Sequence, residues 1–283
     1  MNDRTPSGAG WFESVDPGDV EGAATGIRDG SAAAPRNWPV QAVEAGFADG
    51  EDDYYDRLRE ATLAATAAAV EEAERADDRQ LAHAVRAMDD CERTANELAE
   101  RVAEWAGTLF DDAGTGVEYA RTLAESDPDG PTERRVVDLA RRVASLADER
   151  DELRTFVQQQ ASIVAPNLAA MAGPVLSARL IALAGGLGSL AKMPSGTVQV
   201  LGAEDALFAH LRGQASSPKH GIIYTHEYVR NTAPDQRGSA SRALAGKLTI
   251  AARVDHYSGE RKPELDDELD DRIASIRSRG DGE

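Results

Sequence analysis

The stretch "LAHAVRAMDDCERTANELAERVAEWAGTL", residues 81–109, decides how the chain folds. Stepping by alternating threes and fours from Leu81 lands on Ala84, Met88, Cys91, Ala95, Leu98, Val102, Trp105 and Leu109, all of them apolar. That is the seam of a heptad repeat, with a helix presenting one narrow apolar stripe to a partner helix. From Val136 the same stepping gives Leu139, Val143, Leu146, Arg150, Leu153, Val157, Gln160 and Val164, broken only at Arg150 and Gln160. Between the two runs lies "DDAGTGVEYARTLAESDPDGPTE", residues 111–133, rich in turn formers; "DGPTERR" reads as a helix start with proline near the first turn. Two long helices and such a connector predict an antiparallel coiled-coil hairpin, each arm on the order of 45 Å at ~1.5 Å per residue. So long a hairpin needs a neighbour to bury its seam, which predicts a homodimer held through Met88, Cys91, Leu98, Val102, Val143, Leu146 and Leu153. The plainer alternative is an ordinary helical core. On either reading Cys91 is a small seam hydrophobe rather than a nucleophile.

Charge is distributed unevenly around this hairpin. The 283 residues carry a formal net charge of −19, and only four of the bases are lysine: Lys192, Lys219, Lys247 and Lys262. Acid-rich, lysine-poor surfaces suit concentrated salt, and the composition suggests a halophile; an acidic, partly disordered protein is the alternative. Residues 166–262 invert the balance, with 11 bases against 6 acids. A basic module inside an acidic chain points to a polyanionic partner. Aromatics make up 5% of the chain and alanine dominates its middle, which favours helix over sheet. No apolar run reaches the 18 residues a membrane span needs. The first twenty residues lack the basic and apolar regions of a secretory signal, and a cytoplasmic location is expected. A lone cysteine excludes an internal disulfide framework and a Cys-rich zinc site.

The rest divides by texture. Residues 1–50 are rich in Gly, Pro, Ala and Asp, and predict either a small, poorly formed α/β unit or a largely disordered arm. "DGEDDYYD", residues 49–56, reads as a solvated linker, and "RLREATLAATAAAVEEAERA" as a helix. The expected divisions are an N-terminal region over 1–72, a coiled-coil domain over 73–165, an all-helical module over 166–262 and an acidic tail over 263–283, either a short helix or disordered.

Candidate chemistry is sparse. "SLAK", residues 189–192, fits a Ser-x-x-Lys pattern but lacks the companion motifs of that enzyme class. "GGLG" is neither a dinucleotide fingerprint nor a phosphate loop. His83, His210, His220, His226 and His256 show no metal-ligand spacing, and no metal site is expected. What stands out is a set of bases among hydroxyls and small residues: Lys219, His220, Arg237, Ser239, Ser241, Arg242, Lys247 and Arg253. Such side chains bind phosphate oxygens, and arginine also stacks on unpaired bases. A plain solvated basic face is the alternative.

These blocks resemble a known family. "NLAAMAGPVLSARLIALAGGLGSLAKMPSGTVQVLGAEDALFAHL" (167–211), "PKHGIIYTH" (218–226) and "QRGSASRALAGKLTIAARVD" (236–255) resemble the Nop domain, which defines the scaffold proteins of archaeal box C/D guide ribonucleoproteins and their eukaryotic counterparts. "AVRAMDDCERTANELAERVAEW" (84–105) is similar to that family's first coiled-coil helix. The resemblance implies a mainly α fold: a short, poorly formed N-terminal α/β region, an antiparallel coiled-coil hairpin and an all-α Nop domain. It implies a scaffold that is no enzyme, whose N-terminal domain holds the methyltransferase fibrillarin and whose coiled coil makes a homodimer. The Nop domain then clamps box C/D guide RNA together with a small kink-turn-binding protein for guided 2′-O-methylation. S-adenosylmethionine belongs to fibrillarin, so no cofactor is expected on this chain. The RNA-facing positions it implies are Gln199, Gly202, Ala203, Glu204, Lys219, His220, Arg237, Gly238, Arg242, Lys247 and Arg253. Two positions depart from the family's usual pattern: Asp205 stands where a lysine is usual, and Ala209 where an arginine often follows. Concentrated salt offers a reason, because near 1 M the Debye length falls to ~3 Å and distant lysines contribute little. A coiled-coil protein whose basic domain binds another protein, and an enzyme acting directly on RNA, are the competing readings.

Overall fold

The computed structural model describes residues 10–280 apart from residue 33, and among these every regular element is helical. The chain forms two compact units, residues 1–76 and 77–283.

The first unit contains α1 (Val20–Asp29), α2 (Trp38–Glu44) and α3 (Glu51–Glu74). The α/β character expected of this region is corrected here: its described residues are helices and turns around an aromatic cluster. Phe12, Phe47 and Tyr54 are buried, with Trp11 and Trp38 packed against them. Phe12 stacks on Phe47 at 5.7 Å between ring centroids, and Trp11 Nε1 donates to the Tyr54 hydroxyl at 3.3 Å. The proposed linker at 49–56 is likewise a helix start. Glu51, Asp52 and Asp53 occupy the first turn of α3, where acids favour the positive end of the helix dipole, and Tyr54 turns into the core.

The second unit begins with the hairpin, α4 (Asp77–Ala106) and α6 (Pro131–Val164). Its arms are antiparallel: the first turns of α4, through Met88, share a core with Val157 and Ala161, while Ala95–Ala106 share another with Val136–Val143. The seam is wider than a two-residue heptad stripe, because Val85, Ala99, Val137, Ala140 and Ala147 are buried beside it. The connector carries a helix that periodicity did not indicate, α5 (Gly116–Ala124), whose Ala120 and Leu123 close the distal core. The dimer assignment is narrowed for the residues that this packing buries. Met88, Val102 and Val143 are fully buried within one chain, Leu98 and Leu146 pack on the distal core, Leu153 packs on the proximal one, and Cys91 is half-buried. The three buried ones close this chain's own hairpin, while Cys91, Leu98, Leu146 and Leu153 keep part of their surface open.

The remaining helices are α7 (Pro166–Ala172), α8 (Pro174–Ala184), α9 (Leu187–Lys192), α10 (Ser195–Val200), α11 (Glu204–Leu211), α12 (Glu227–Arg230), α13 (Arg237–Tyr257) and α14 (Glu264–Gly280), with a 3₁₀ turn at Ile222–Thr225. They surround α13, which buries Ala240, Leu244, Ala245, Leu248, Ala251 and Ala252. Asp255, near the end of α13, accepts from the backbone amides of Asn167 (3.0 Å) and Leu168 (2.8 Å) and from Asn167 Nδ2 (2.7 Å). Asn167 Oδ1 in turn accepts from the Lys262 amide at 2.7 Å. This buried lock caps α7 and fixes where the chain leaves α13. The hairpin root is stitched to the same body: Arg179 pairs with Asp89 at 2.5 Å, Arg86 donates to the Ala182 carbonyl at 2.7 Å, and Asp78 accepts from the Leu187 amide at 2.7 Å. Of the two options for the acidic C-terminal segment the structure takes the helix, and not as a loose tail. Leu265, Leu269, Ile273 and Ile276 of α14 are buried in the main core.

Candidate nucleic-acid interface

Two short backbone segments build the site. The end of α10 and the residues after it run beside the segment that follows α11: the Gly221 amide donates to the Gln199 carbonyl at 2.8 Å, and the Ile222 amide to the Leu201 carbonyl at 2.8 Å. The approach is so close that a Cβ on Gly221 would lie 2.0 Å from the Leu201 oxygen, which is why glycine follows "KH". Gln199 adds a side-chain bond, Nε2 to the Lys219 carbonyl at 2.7 Å. The pairing leaves the Lys219 side chain exposed and half-buries His220.

His220 stacks on Tyr224 with centroids 4.5 Å apart and planes at 21°, and the Arg237 guanidinium lies 5.6 Å from the same Tyr224 ring. Arg237 is aimed by its bonds to the carbonyls of Thr232 (3.0 Å) and Arg230 (3.4 Å). Burial, then the neighbouring Arg237 and Lys219 charges, push the His220 pKa down, so the imidazole is neutral at pH 7. Five residues beyond Arg237, and so about 140° around α13 from it, Arg242 is exposed and makes no hydrogen bond or ion pair among the described residues. Gly238 lies between them, with open space where a Cβ would stand. The result is a surface of imidazole, phenol and guanidinium planes beside free cations, suited to phosphate oxygens and unpaired bases.

The other implied positions fall elsewhere. Lys247 is half-buried and its ammonium is paired with Glu268 of α14. Arg253 is exposed, but its Nε donates to the Ala191 carbonyl at 3.0 Å. Eleven residues after Arg242, about three helical turns, it shares that residue's face of α13. Gly202, Ala203 and Glu204 form a local turn: Gly202 takes φ +82°, and its amide donates to Glu204 Oε1 at 2.8 Å. The Glu204 carboxylate is thus spent inside the chain and carries the wrong sign for phosphate.

Tyr224 and Arg230 lie at the site; sequence shows Arg230 as one of the bases of residues 217–231, while Tyr224 carries no such signal. The four-residue spacing from His220 was the only pointer to Tyr224; the exposed Arg230 sits one short helix away. Behind them, His226 caps α12. Its Nδ1 accepts from the Tyr228 amide at 3.1 Å, and its Nε2 donates to the Met171 carbonyl at 3.1 Å. Burial holds its pKa below the usual histidine range. Tyr228 is pushed up to about 12, first by its hydrogen bond to Asp270 of α14 and then by burial. No group of three or more His, Cys, Asp or Glu side chains placed to hold a metal occurs among the described residues, and no single helix among them is long and apolar enough to cross a membrane.

A helical hairpin rooted in an all-α domain with one cationic, aromatic surface defines the class of this protein. Comparison supplies the family. Residues 117–276, more than half of the chain, match the model of the Nop family, described as "snoRNA binding domain, fibrillarin", and the chain belongs to that family. The match takes in α5, α6 and most of α14, well beyond the blocks that carried the resemblance. An uncharacterised NOP5 family protein of Methanocaldococcus jannaschii is 32% identical over 273 residues, covering 83% of this chain and 66% of the relative. Nucleolar protein 56 of Saccharomyces cerevisiae is 32% identical over 226 residues, covering 65% of this chain and 45% of that protein. The chain therefore spans about two thirds of the first relative and less than half of the second. A chain in the crystal structure of a fibrillarin/Nop5p complex superposes with a TM-score of 0.53 at 25% identity, covering 90% of this chain and 92% of that one.

Proposed function

We propose that the chain is a non-catalytic scaffold of a box C/D guide ribonucleoprotein, in which its C-terminal domain grips guide RNA together with a small kink-turn-binding protein. On this reading its N-terminal unit holds fibrillarin, and two copies join through the coiled-coil hairpin. Fibrillarin brings S-adenosylmethionine and the methyl-transfer chemistry for 2′-O-methylation of ribosomal and transfer RNA; this chain's residues bind and position. Membership of a family described by snoRNA binding and fibrillarin, and likeness to a chain solved in a fibrillarin complex, support the reading.

One observation carries the RNA contact. In a chain with 50 acids, Lys219 and Arg230 keep exposed charges without an ion pair around the His220–Tyr224–Arg237 stack, and Arg242 keeps another further along α13. The test is binding of the full chain to kink-turn RNA loaded with the small protein, titrated across KCl concentrations. Arg242→Ala is expected to weaken binding at every salt and to flatten the log–log salt slope by about 0.7–0.9, one phosphate contact. An unchanged affinity and slope would remove the cationic surface from the RNA interface.

A further inference from the structure

We propose that Arg277 of α14 is a positioning residue for the cationic surface: it grips the segment Glu227–Thr232, whose carbonyls aim the Arg237 guanidinium at Tyr224. Arg237 is long and flexible, and two hydrogen bonds fix its direction: Nε to the Thr232 carbonyl (3.0 Å) and Nη2 to the Arg230 carbonyl (3.4 Å). Where those two oxygens sit therefore decides whether the guanidinium stays 5.6 Å from the Tyr224 ring centroid. The segment that carries them is short, the four residues of α12 and the turn after it. A single helical turn is unstable alone, so its geometry comes from what holds it.

Two parts of the fold hold it. His226 ties its start to Met171 of α7. The other grip comes from Asp270 and Arg277 of α14, seven residues apart and so on one face of that helix. Asp270 accepts from the Tyr228 hydroxyl. Arg277 spreads its planar fork over two acceptors, Nη2 to the Glu227 carbonyl at 3.1 Å and Nε to Thr232 Oγ1 at 3.2 Å, with the guanidinium 5.8 Å from the Tyr228 ring centroid. One residue thus joins the two arginines. Thr232 is buried; its hydroxyl takes Arg277 and donates to the Tyr228 carbonyl at 2.7 Å, while its own carbonyl takes Arg237. Arg277 makes no ion pair among the described residues, although acids crowd α14, and its fork is directed at neutral oxygens of this segment instead. The family match ends at residue 276, so only the folded chain points to Arg277.

The inference rests on the RNA-binding reading of the His220–Tyr224–Arg237 stack, and the experiment separates the two. Full-length wild type, Arg277→Ala, Arg277→Lys, Arg237→Ala and Arg237→Ala/Arg277→Ala are titrated against kink-turn RNA preloaded with the small kink-turn-binding protein. Circular dichroism melting verifies that each is folded at the assay temperature; Thr232→Val, which removes the hydroxyl that Arg277 holds, takes the place of Arg277→Ala if that variant melts too low. Arg277→Ala is expected to weaken binding about fivefold, the cost of ordering one long side chain on association. Arg277→Lys, which keeps the charge without the fork, should recover part of the loss, and the double variant should bind no more weakly than Arg237→Ala. A second readout needs no RNA: the Arg237 Nε–H resonance, protected from solvent exchange by the Thr232 carbonyl in wild type, should lose that protection in Arg277→Ala. Wild-type affinity in Arg277→Ala, losses that add in the double variant, or unchanged Nε–H protection each overturns the positioning role. Failure of Arg237→Ala to weaken binding overturns the RNA reading of the stack instead, and the exchange measurement still decides whether Arg277 aims Arg237.

Discussion

Replacing Asp255 with alanine would remove the centre of the buried lock. Its carboxylate accepts three hydrogen bonds of 2.7–3.0 Å, from two backbone amides at the start of α7 and from the Asn167 side chain. Asn167 is fully buried, so neither its amide nor its side chain can turn to water instead. Hydrogen bonds to a charged group are worth about 1.5–3 kcal/mol each, and three at the low end give about 4.5 kcal/mol. Against this stands the cost of burying the carboxylate, which alanine relieves, leaving a net loss of about 3–4 kcal/mol. For a body of this size, 1 kcal/mol corresponds to about 2–4 °C, so the melting temperature should fall on the order of 10 °C. Urea unfolding followed by circular dichroism measures the free energy, and a thermal scan gives the temperature. Asp255→Asn sharpens the test, because its amide would turn a donor toward a backbone donor and recover only part of the loss. A loss below 1 kcal/mol in the alanine variant would show that the lock is incidental to stability and refute the reasoning.

Leu269→Ala should cost about 3 kcal/mol by urea titration, since the side chain is buried at the α14–α13 contact; a surface-like value near zero would return α14 to the status of a tail. Gly221→Ala should cost at least about 2 kcal/mol and weaken RNA binding, because the new Cβ would push the Leu201 carbonyl away and break the pairing that presents Lys219 and His220. His226 gives a pH test. Its folded pKa lies below the unfolded value of about 6.5, so its contribution is complete above pH 6.5 and is lost as pH falls through the folded pKa. Unfolding free energies of wild type and His226→Ala at pH 8 and pH 5.5 should therefore converge at the acidic end; a constant gap would contradict the neutral cap.

What sequence revealed was what repeats locally. The seam from Leu81 to Val102 and its return from Val136 to Val157 show in the spacing of apolar residues, because each helix meets one neighbour along its whole length. α5 was hidden because its nine residues are too few for a period and sit among Gly, Pro and Asp. In the N-terminal unit the core is a meeting of Trp11, Phe12, Trp38, Phe47 and Tyr54 from separate turns and short helices, and no local pattern announces it. In α14 the buried Leu265, Leu269, Ile273 and Ile276 lie among six acids, whose charge masks an amphipathic helix. The site shows the same limit. Resemblance named His220, Arg237 and Arg242, but whether a base is available depends on partners far along the chain. Glu268 takes the charge of Lys247 and the Ala191 carbonyl holds Arg253, pairings that only the folded chain brings together.

Stitching at the hairpin root makes a rigid lever. With Asp78, Arg86 and Asp89 bolting the start of α4 to α8 and α9, a tilt of the C-terminal domain carries both long arms with it. The 34 residues of α6 reach ~51 Å, so a rotation of about 5° at the root sweeps the far end through about 4 Å. Small adjustments where the domain seats on a ligand are thereby magnified at the distant tip.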